Sequence, residues 1–228
     1  TCALPISPIP NPQSPIPMFH NELKIKIIYS IFKLLIKINI YIKMYGFQQQ
    51  NTIEILKNEF TQINNNPNLN TGVTVGLPNE CNYFEWNATL TGPKDSSYKN
   101  GIFILNIKFP PDYPNHAPEV CFKTPIYHVN VNPMKSNLPG AEPLGHVCIS
   151  TLNWWKPIYK MNEVLTNIFG LFYMANPDSP YGLDRADECK FNKALYEEKI
   201  KYFTNKYANP GKCNINKEYN DSWDFNYP

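Results

Sequence analysis

The chain has 228 residues, enough for one well-packed domain with tails, and a formal net charge of +2 at pH 7. Five of the 21 basic and one of the 19 acidic side chains lie in residues 21–45, so residues 46–228 carry 16 basic and 18 acidic groups. This balance excludes a basic nucleic-acid-binding domain, and no nucleic-acid partner is expected.

The cysteines also limit the class of protein. No two of them form the close pair that is typical of a structural zinc site, so no metal is expected. Scattered cysteines without a signal peptide argue against a disulfide framework, and we expect reduced thiols in a cytoplasmic or nuclear protein. The six cysteines stand at positions 2, 81, 121, 148, 189 and 213.

The first 45 residues lack the signals of a compact domain. Residues 1–20 carry six prolines, and the run that follows is rich in isoleucine but interrupted by lysines. We therefore expect residues 1–45 to be disordered or spuriously translated. Alternatively, because Lys26, Lys33 and Lys37 recur at helical spacing, residues 21–45 form a helix in contact with a membrane surface.

From residue 46 the pattern becomes that of a compact domain. Residues 52–65 predict an amphipathic helix. Strand-like runs separated by turn residues follow at 73–75, 83–90, 101–109 and 119–123. Helical patterns return at 161–174, 183–189 and 191–207. The order predicts an α+β domain with a four-stranded antiparallel sheet over residues 46–210, and residues 211–228 form a tail without clear periodicity.

Short motifs occur within this domain in a fixed order. They are Tyr83-Phe84-Glu85-Trp86, Gly92-Pro93, Phe109-Pro110-Pro111-Asp112-Tyr113-Pro114, Ala117-Pro118-Glu119 and Val147-Cys148-Ile149. Each is weak alone, but together they make residues 46–210 resemble the core domain of the ubiquitin-conjugating (E2) enzymes. The resemblance implies the UBC-like fold, with the sheet flanked by an N-terminal helix and C-terminal helices.

The resemblance also implies a role for Cys148. It would accept the C-terminal glycine of ubiquitin as a thioester from an activating enzyme (E1). It would then pass the ubiquitin to lysines of protein substrates, usually with a RING or HECT ligase (E3). A thiolate is the attacking species, and a thiol is a good leaving group when an amine attacks later. No cofactor is expected, because the partner E1 consumes the ATP. A lone cysteine in an apolar run is otherwise usually a small buried hydrophobe.

Further residues are expected around Cys148. Asn130 is the candidate oxyanion stabiliser, or else it pins its own loop through side-chain hydrogen bonds. His128 and Tyr127 are expected to be structural residues of the site. Ser179, beside Asp178, falls where the family carries Asp or Ser, and this pair either polarises the groove for the incoming lysine or forms a plain turn.

The sequence departs from the family pattern in places. The family's His-Pro-Asn reads His128-Val129-Asn130, and the stretch from Asn130 to Cys148 is lengthened by an insertion at residues 132–144. Asn115 replaces a large apolar residue that many members present to RING ligases. Pro157 and Ile158 lie in the second segment expected to face the E3.

Three other functions stay open from the sequence. The modifier could be NEDD8 or SUMO in place of ubiquitin. The domain could be a non-catalytic E2-like variant that only binds ubiquitin. In a thiol protease, Cys148 would need a histidine base; His146 is two residues away, and no separated histidine with an Asn or Asp orienter stands out.

Overall fold

The computed structural model describes residues 19–66, 72–136, 138–211 and 222–228, with side chains from residue 24 onward. The helices are α1 (Phe19–Asn64), α2 (Ser150–Asn153), α3 (Met161–Gly170), α4 (Leu183–Phe191) and α5 (Lys193–Tyr207). The strands are β1 (Val73–Gly76), β2 (Glu85–Thr91), β3 (Ile102–Lys108) and β4 (Glu119–Phe122).

Helix α1 is far longer than the helix predicted at 52–65. Residues 19–45 are helical in the structure, which agrees with the helical alternative for residues 21–45 and differs from the expectation of disorder, whereas residues 1–18 lie outside the described residues. Helix α1 has no proline, and its one glycine, Gly46, lowers helix stability by only about 1 kcal/mol. Within the described residues, no helix combines the length and apolar character that crossing a bilayer requires.

The chain divides after Phe47 into two compact units. In the first unit the large apolar side chains of residues 24–47 are exposed, among them Ile28 and Leu35. In the second unit α1 contributes Leu56 and Ile63 to the core, both almost fully buried. The change from exposed to buried apolar residues within one helix therefore coincides with the boundary between the units.

The four strands form one antiparallel sheet in the order β1-β2-β3-β4, which confirms the predicted meander. Burial alternates along β1 and β2, as expected for strands with one face on the core. The five central residues of β3 are all buried. The register places Trp86 opposite Ile107, and Ile107 opposite Val120. These fully buried side chains form the centre of the hydrophobic core.

A buried carboxylate connects three elements of the second unit. Glu59 on α1 accepts hydrogen bonds from the Tyr113 hydroxyl (3.0 Å) and from the Met161 backbone N–H at the start of α3 (2.9 Å). Its other oxygen lies 3.6 Å from the Lys160 ammonium. A buried charge is tolerated only when paired in this way. Burial, with Glu59 alongside, raises the pKa of Tyr113 well above its usual value, so the phenol stays a donor.

The C-terminal segment packs on the core. Trp223 is 5 % exposed, and its backbone N–H donates to Pro133 O at 3.1 Å. Phe225 meets the rings of Tyr127 and Phe203 with centroid separations of 5.3 and 4.9 Å. Residues 222–228 are therefore part of the packed unit, whereas the sequence predicted a tail from 211 onward; residues 212–221 lie outside the described residues.

Candidate active site around Cys148

Cys148 lies between the buried residues Val147 and Ile149, just after the point where the backbone of Gly145 passes close to Phe122. Gly145 has φ +81°, and a Cβ there would lie 2.2 Å from Phe122 O, so this position requires glycine. Val147 pairs with Val131, and the Cys148 backbone N–H donates to Asn130 O at 2.9 Å. The thiol itself is half-buried. The segment is thus fixed by backbone contacts on both sides, while the sulfur stays accessible.

The sulfur of Cys148 has two polar neighbours. Ser179 Oγ lies 3.2 Å from Sγ, and Asn153 Nδ2 donates to Sγ at 3.2 Å. The sequence proposed Ser179 at this place, and the structure brings the two residues together. Asn153 was missed. Its position one helical turn beyond Ile149 could have identified it, but only if the short helix α2 had been predicted.

Asn130 is fully buried, and its side chain is saturated with hydrogen bonds. Nδ2 donates to Asn176 O at 2.7 Å and to Ser179 O at 2.9 Å, while Oδ1 accepts from Asn176 N at 2.8 Å. Both amide hydrogens are therefore committed to the segment 176–179. These contacts are those of the loop-pinning alternative, and an oxyanion could bind Nδ2 only by displacing one of the carbonyls.

His128 and Tyr127 make the contacts of structural residues. Burial lowers the pKa of His128 to about 4, so the ring is neutral at pH 7. Its Nδ1 accepts from the Asn130 N–H at 3.0 Å, so Nε2 carries the proton and donates to Leu171 O at 3.1 Å. The Tyr127 hydroxyl donates to Glu188 at 2.7 Å.

Asp178 is a surface residue of the same segment. Its carboxylate lies 2.7 Å from the Lys190 ammonium on α4, and its side chain is 82 % exposed. An ion pair of this exposure contributes little to stability. Of the two residues proposed for this wall of the groove, Ser179 contacts the sulfur and Asp178 is bound to Lys190.

His146 has partners other than Cys148. Its Nδ1 lies 2.5 Å from the Tyr181 hydroxyl and its Nε2 lies 3.3 Å from Glu142 Oε2. Burial lowers the pKa of His146, with Glu142 acting in the opposite direction. With both ring nitrogens engaged in this way, His146 does not serve as the base of a thiol protease in this arrangement.

The insertion at 132–144 is closed at its base by one side chain. Asn132 Nδ2 donates to Glu142 O and to Pro143 O, both at 2.9 Å. Between these ends Met134 and Leu138 are exposed. The insertion therefore forms a closed loop next to the strand-like segment that carries Cys148.

The two segments expected to face a ligase are joined by Trp155. Its indole N–H donates to Pro114 O at 2.7 Å, and its ring lies 5.7 Å from that of Tyr113. Asn115, Pro157 and Ile158 are all exposed, and Ile158 is 77 % exposed. Trp155 thus holds the two segments together and leaves these side chains on the surface.

Comparison with known proteins extends this description. The sequence profile of the family described as "Ubiquitin-conjugating enzyme" matches residues 55–204. The chain is also similar to the crystal structure of a provisionally named ubiquitin-conjugating enzyme from Plasmodium yoelii, with 28 % identity and a TM-score of 0.57. That similarity covers 68 % of this chain and 93 % of the other.

Proposed function

Because the chain belongs to the ubiquitin-conjugating enzyme family, we propose that it accepts ubiquitin as a thioester on Cys148 and transfers it to substrate lysines. An E1 would supply the ubiquitin, and an E3 would bring the substrate. The observation that carries the proposal is the accessible Cys148 sulfur, 3.2 Å from both Ser179 Oγ and Asn153 Nδ2.

Loading is an exchange of thioesters. The Cys148 thiolate attacks the carbonyl carbon of the ubiquitin glycine on the E1, a new C–S bond forms, and the E1 cysteine leaves as a thiolate. The half-buried position of Cys148 leaves the sulfur open to such a partner. The backbone hydrogen bond to Asn130 O holds the residue in place during the approach.

Discharge then moves the acyl group to nitrogen. A neutral lysine amine attacks the thioester carbonyl, the C–N bond forms, the C–S bond breaks, and the electron pair stays on Cys148 Sγ. The lysine must lose one proton to become neutral, although its reference pKa is near 10.4, and the attacking nitrogen loses a second proton to solvent as the amide forms. The Ser179 hydroxyl is the polar group at the sulfur that can accept a hydrogen bond from the incoming amine.

The activity is tested by incubating the full chain with ubiquitin, a ubiquitin E1 and ATP. We expect an adduct that a reducing agent removes. Cys148→Ala should form none, and Cys148→Ser should form an oxyester that resists reduction, because an alkoxide is a poorer leaving group than a thiolate. The control is Cys81→Ser, which removes an exposed cysteine outside the site and should load normally. A reducible adduct on Cys148→Ala would contradict the assignment.

The choice of modifier is tested by the same reaction. NEDD8 or SUMO, each with its own E1, replaces ubiquitin, and we expect the wild type to load ubiquitin fastest. A chain that binds ubiquitin but forms no adduct with any of the three would instead be a non-catalytic variant.

We also propose that the protein lies in the cytoplasm or nucleus, since the four cysteines among the described residues are free thiols and thioester chemistry needs a reduced Cys148. Imaging of the tagged full chain would check this, and a secreted product would contradict it.

A further inference from the structure

We propose that Asn153 is a catalytic residue, which stabilises the thiolate of Cys148 through its side-chain amide. This inference rests on the proposed function for the reaction it serves. The sulfur carries negative charge twice in that reaction, when it attacks the E1 thioester and when it leaves after the lysine has attacked. A hydrogen-bond donor to the sulfur lowers the barrier of both steps.

The contact between Asn153 and Cys148 has only one chemical direction. The nitrogen of a carboxamide has no available lone pair and can only donate, so Nδ2 at 3.2 Å offers a proton to the sulfur. Ser179 Oγ, at the same distance, can either accept from the thiol or donate to the thiolate. Once the thiol loses its proton, both neighbours can donate to the charged sulfur.

The other amide of the site is not placed for this task. Both hydrogens of Asn130 Nδ2 are donated to the carbonyls of Asn176 and Ser179, inside the protein. His128 donates to Leu171 O. The side-chain amide that reaches the reacting sulfur, among the described contacts, is therefore that of Asn153.

The backbone holds Asn153 at the correct distance. Helix α2 begins directly after Ile149, and the Asn153 N–H donates to Ile149 O at 3.0 Å. Leu152, one residue earlier, is buried in the core and anchors the turn. The single turn of α2 thus fixes the backbone of Asn153 relative to Cys148, and from there the exposed side-chain amide reaches the sulfur.

The first test measures the reactivity of Cys148 without any partner protein. Iodoacetamide alkylates the thiolate, with the sulfur displacing iodide, and mass spectrometry of the peptide that contains Cys148 follows the rate across pH 6 to 9. We expect Asn153→Ala to react about tenfold more slowly at pH 7, since a hydrogen bond to a charged group has this order of effect. Its pH–rate curve should shift to higher pH.

Two further variants separate stabilisation of the thiolate from a structural effect. Asn153→Asp has nearly the same shape but replaces the donor with a negative carboxylate, so it should react more slowly than Asn153→Ala. Asn167→Ala removes a hydrogen bond to the same short helix without touching the sulfur, and it should react like the wild type. Equal rates for Asn153→Ala and Asn167→Ala, or an Asn153→Asp variant no slower than Asn153→Ala, would overturn the proposal.

The second test uses loading and single-turnover discharge to free lysine. Asn153→Ala should slow both by a similar factor, because the sulfur is charged in both steps. Normal loading and discharge would overturn the catalytic role. Absence of any adduct on the wild type would instead refute the proposed function, and alkylation would still decide whether Asn153 acts on the thiolate.

Discussion

Replacing Asn130 with alanine separates its two proposed roles. The change removes three partly buried hydrogen bonds, of 2.7, 2.9 and 2.8 Å, that join the side chain to Asn176 and Ser179. At a net contribution of about 1 kcal/mol for each bond, the free energy of unfolding should fall by about 3 kcal/mol. An amide that served only as an oxyanion donor would leave stability nearly unchanged when removed.

The same substitution should also slow discharge. Without Asn130, the segment 176–179 loses its anchor, and Ser179 Oγ is no longer held 3.2 Å from the sulfur. We expect reduced discharge to free lysine together with the loss of stability. The stability is measured by urea denaturation, followed through the fluorescence of buried Trp86.

Asn132→Ala is the matched control for Asn130→Ala. Asn132 also makes three hydrogen bonds with its side-chain amide, two to Glu142 O and Pro143 O and one from Met134 N, but at the base of an exposed loop. Its removal should lower the free energy of unfolding by about 1 kcal/mol or less, because water replaces the lost partners. Asn130→Ala could instead be as stable as Asn132→Ala and yet transfer ubiquitin to free lysine more than tenfold more slowly than the wild type. That result would refute the loop-pinning role in favour of the oxyanion role.

Two further predictions concern stability. The pKa of His128 is about 4 in the folded protein and near 6.5 when unfolded, so the unfolded chain binds the extra proton between these values. The free energy of unfolding therefore carries a contribution from neutral His128 of about 3 kcal/mol, which is complete above pH 6.5 and is lost as the pH falls to 4. When the free energy of unfolding from urea denaturation is plotted against pH, His128→Gln should flatten the curve between these values. An unchanged slope would contradict the assignment. Trp223→Ala should lower the free energy of unfolding by about 3 kcal/mol, because it removes a buried ring. Its control, Trp154→Ala at a 77 % exposed position, should change the free energy of unfolding by less than about 0.5 kcal/mol. Similar values for the two variants would show that the C-terminal segment does not pack on the core.

The fold of the second unit was predictable from local signals in the sequence. Alternating apolar residues gave β1 and β2, and turn residues separated the four runs that form the meander. The segment of Cys148 was equally visible, because Val147 and Ile149 mark a buried strand-like run around an accessible thiol. These features depend on residues close together in the chain, and local periodicity records such features directly.

The first half of helix α1 and the C-terminal segment lack a clear apolar periodicity of this kind. Residues 24–47 have apolar side chains on every side of the helix, so the lysines at helical spacing suggested a helix there only as an alternative to disorder. In the C-terminal segment, single aromatic rings pack one by one onto α5 and its neighbours without any repeat. Irregular chain of this kind is placed by its tertiary contacts alone.

The sequence by itself determined the family and marked Cys148 as the candidate nucleophile, but only the tertiary structure decided which side chains lie beside its sulfur. Asn130 and Asn176 are 46 positions apart, and Cys148 and Ser179 are 31 apart. Whether an amide donates to a loop carbonyl or to a reacting atom depends on which groups packing brings within about 3 Å. In this protein, packing directs the Asn130 amide into the core and the Asn153 amide to the thiol. Two identical side chains cannot show this distinction in a sequence.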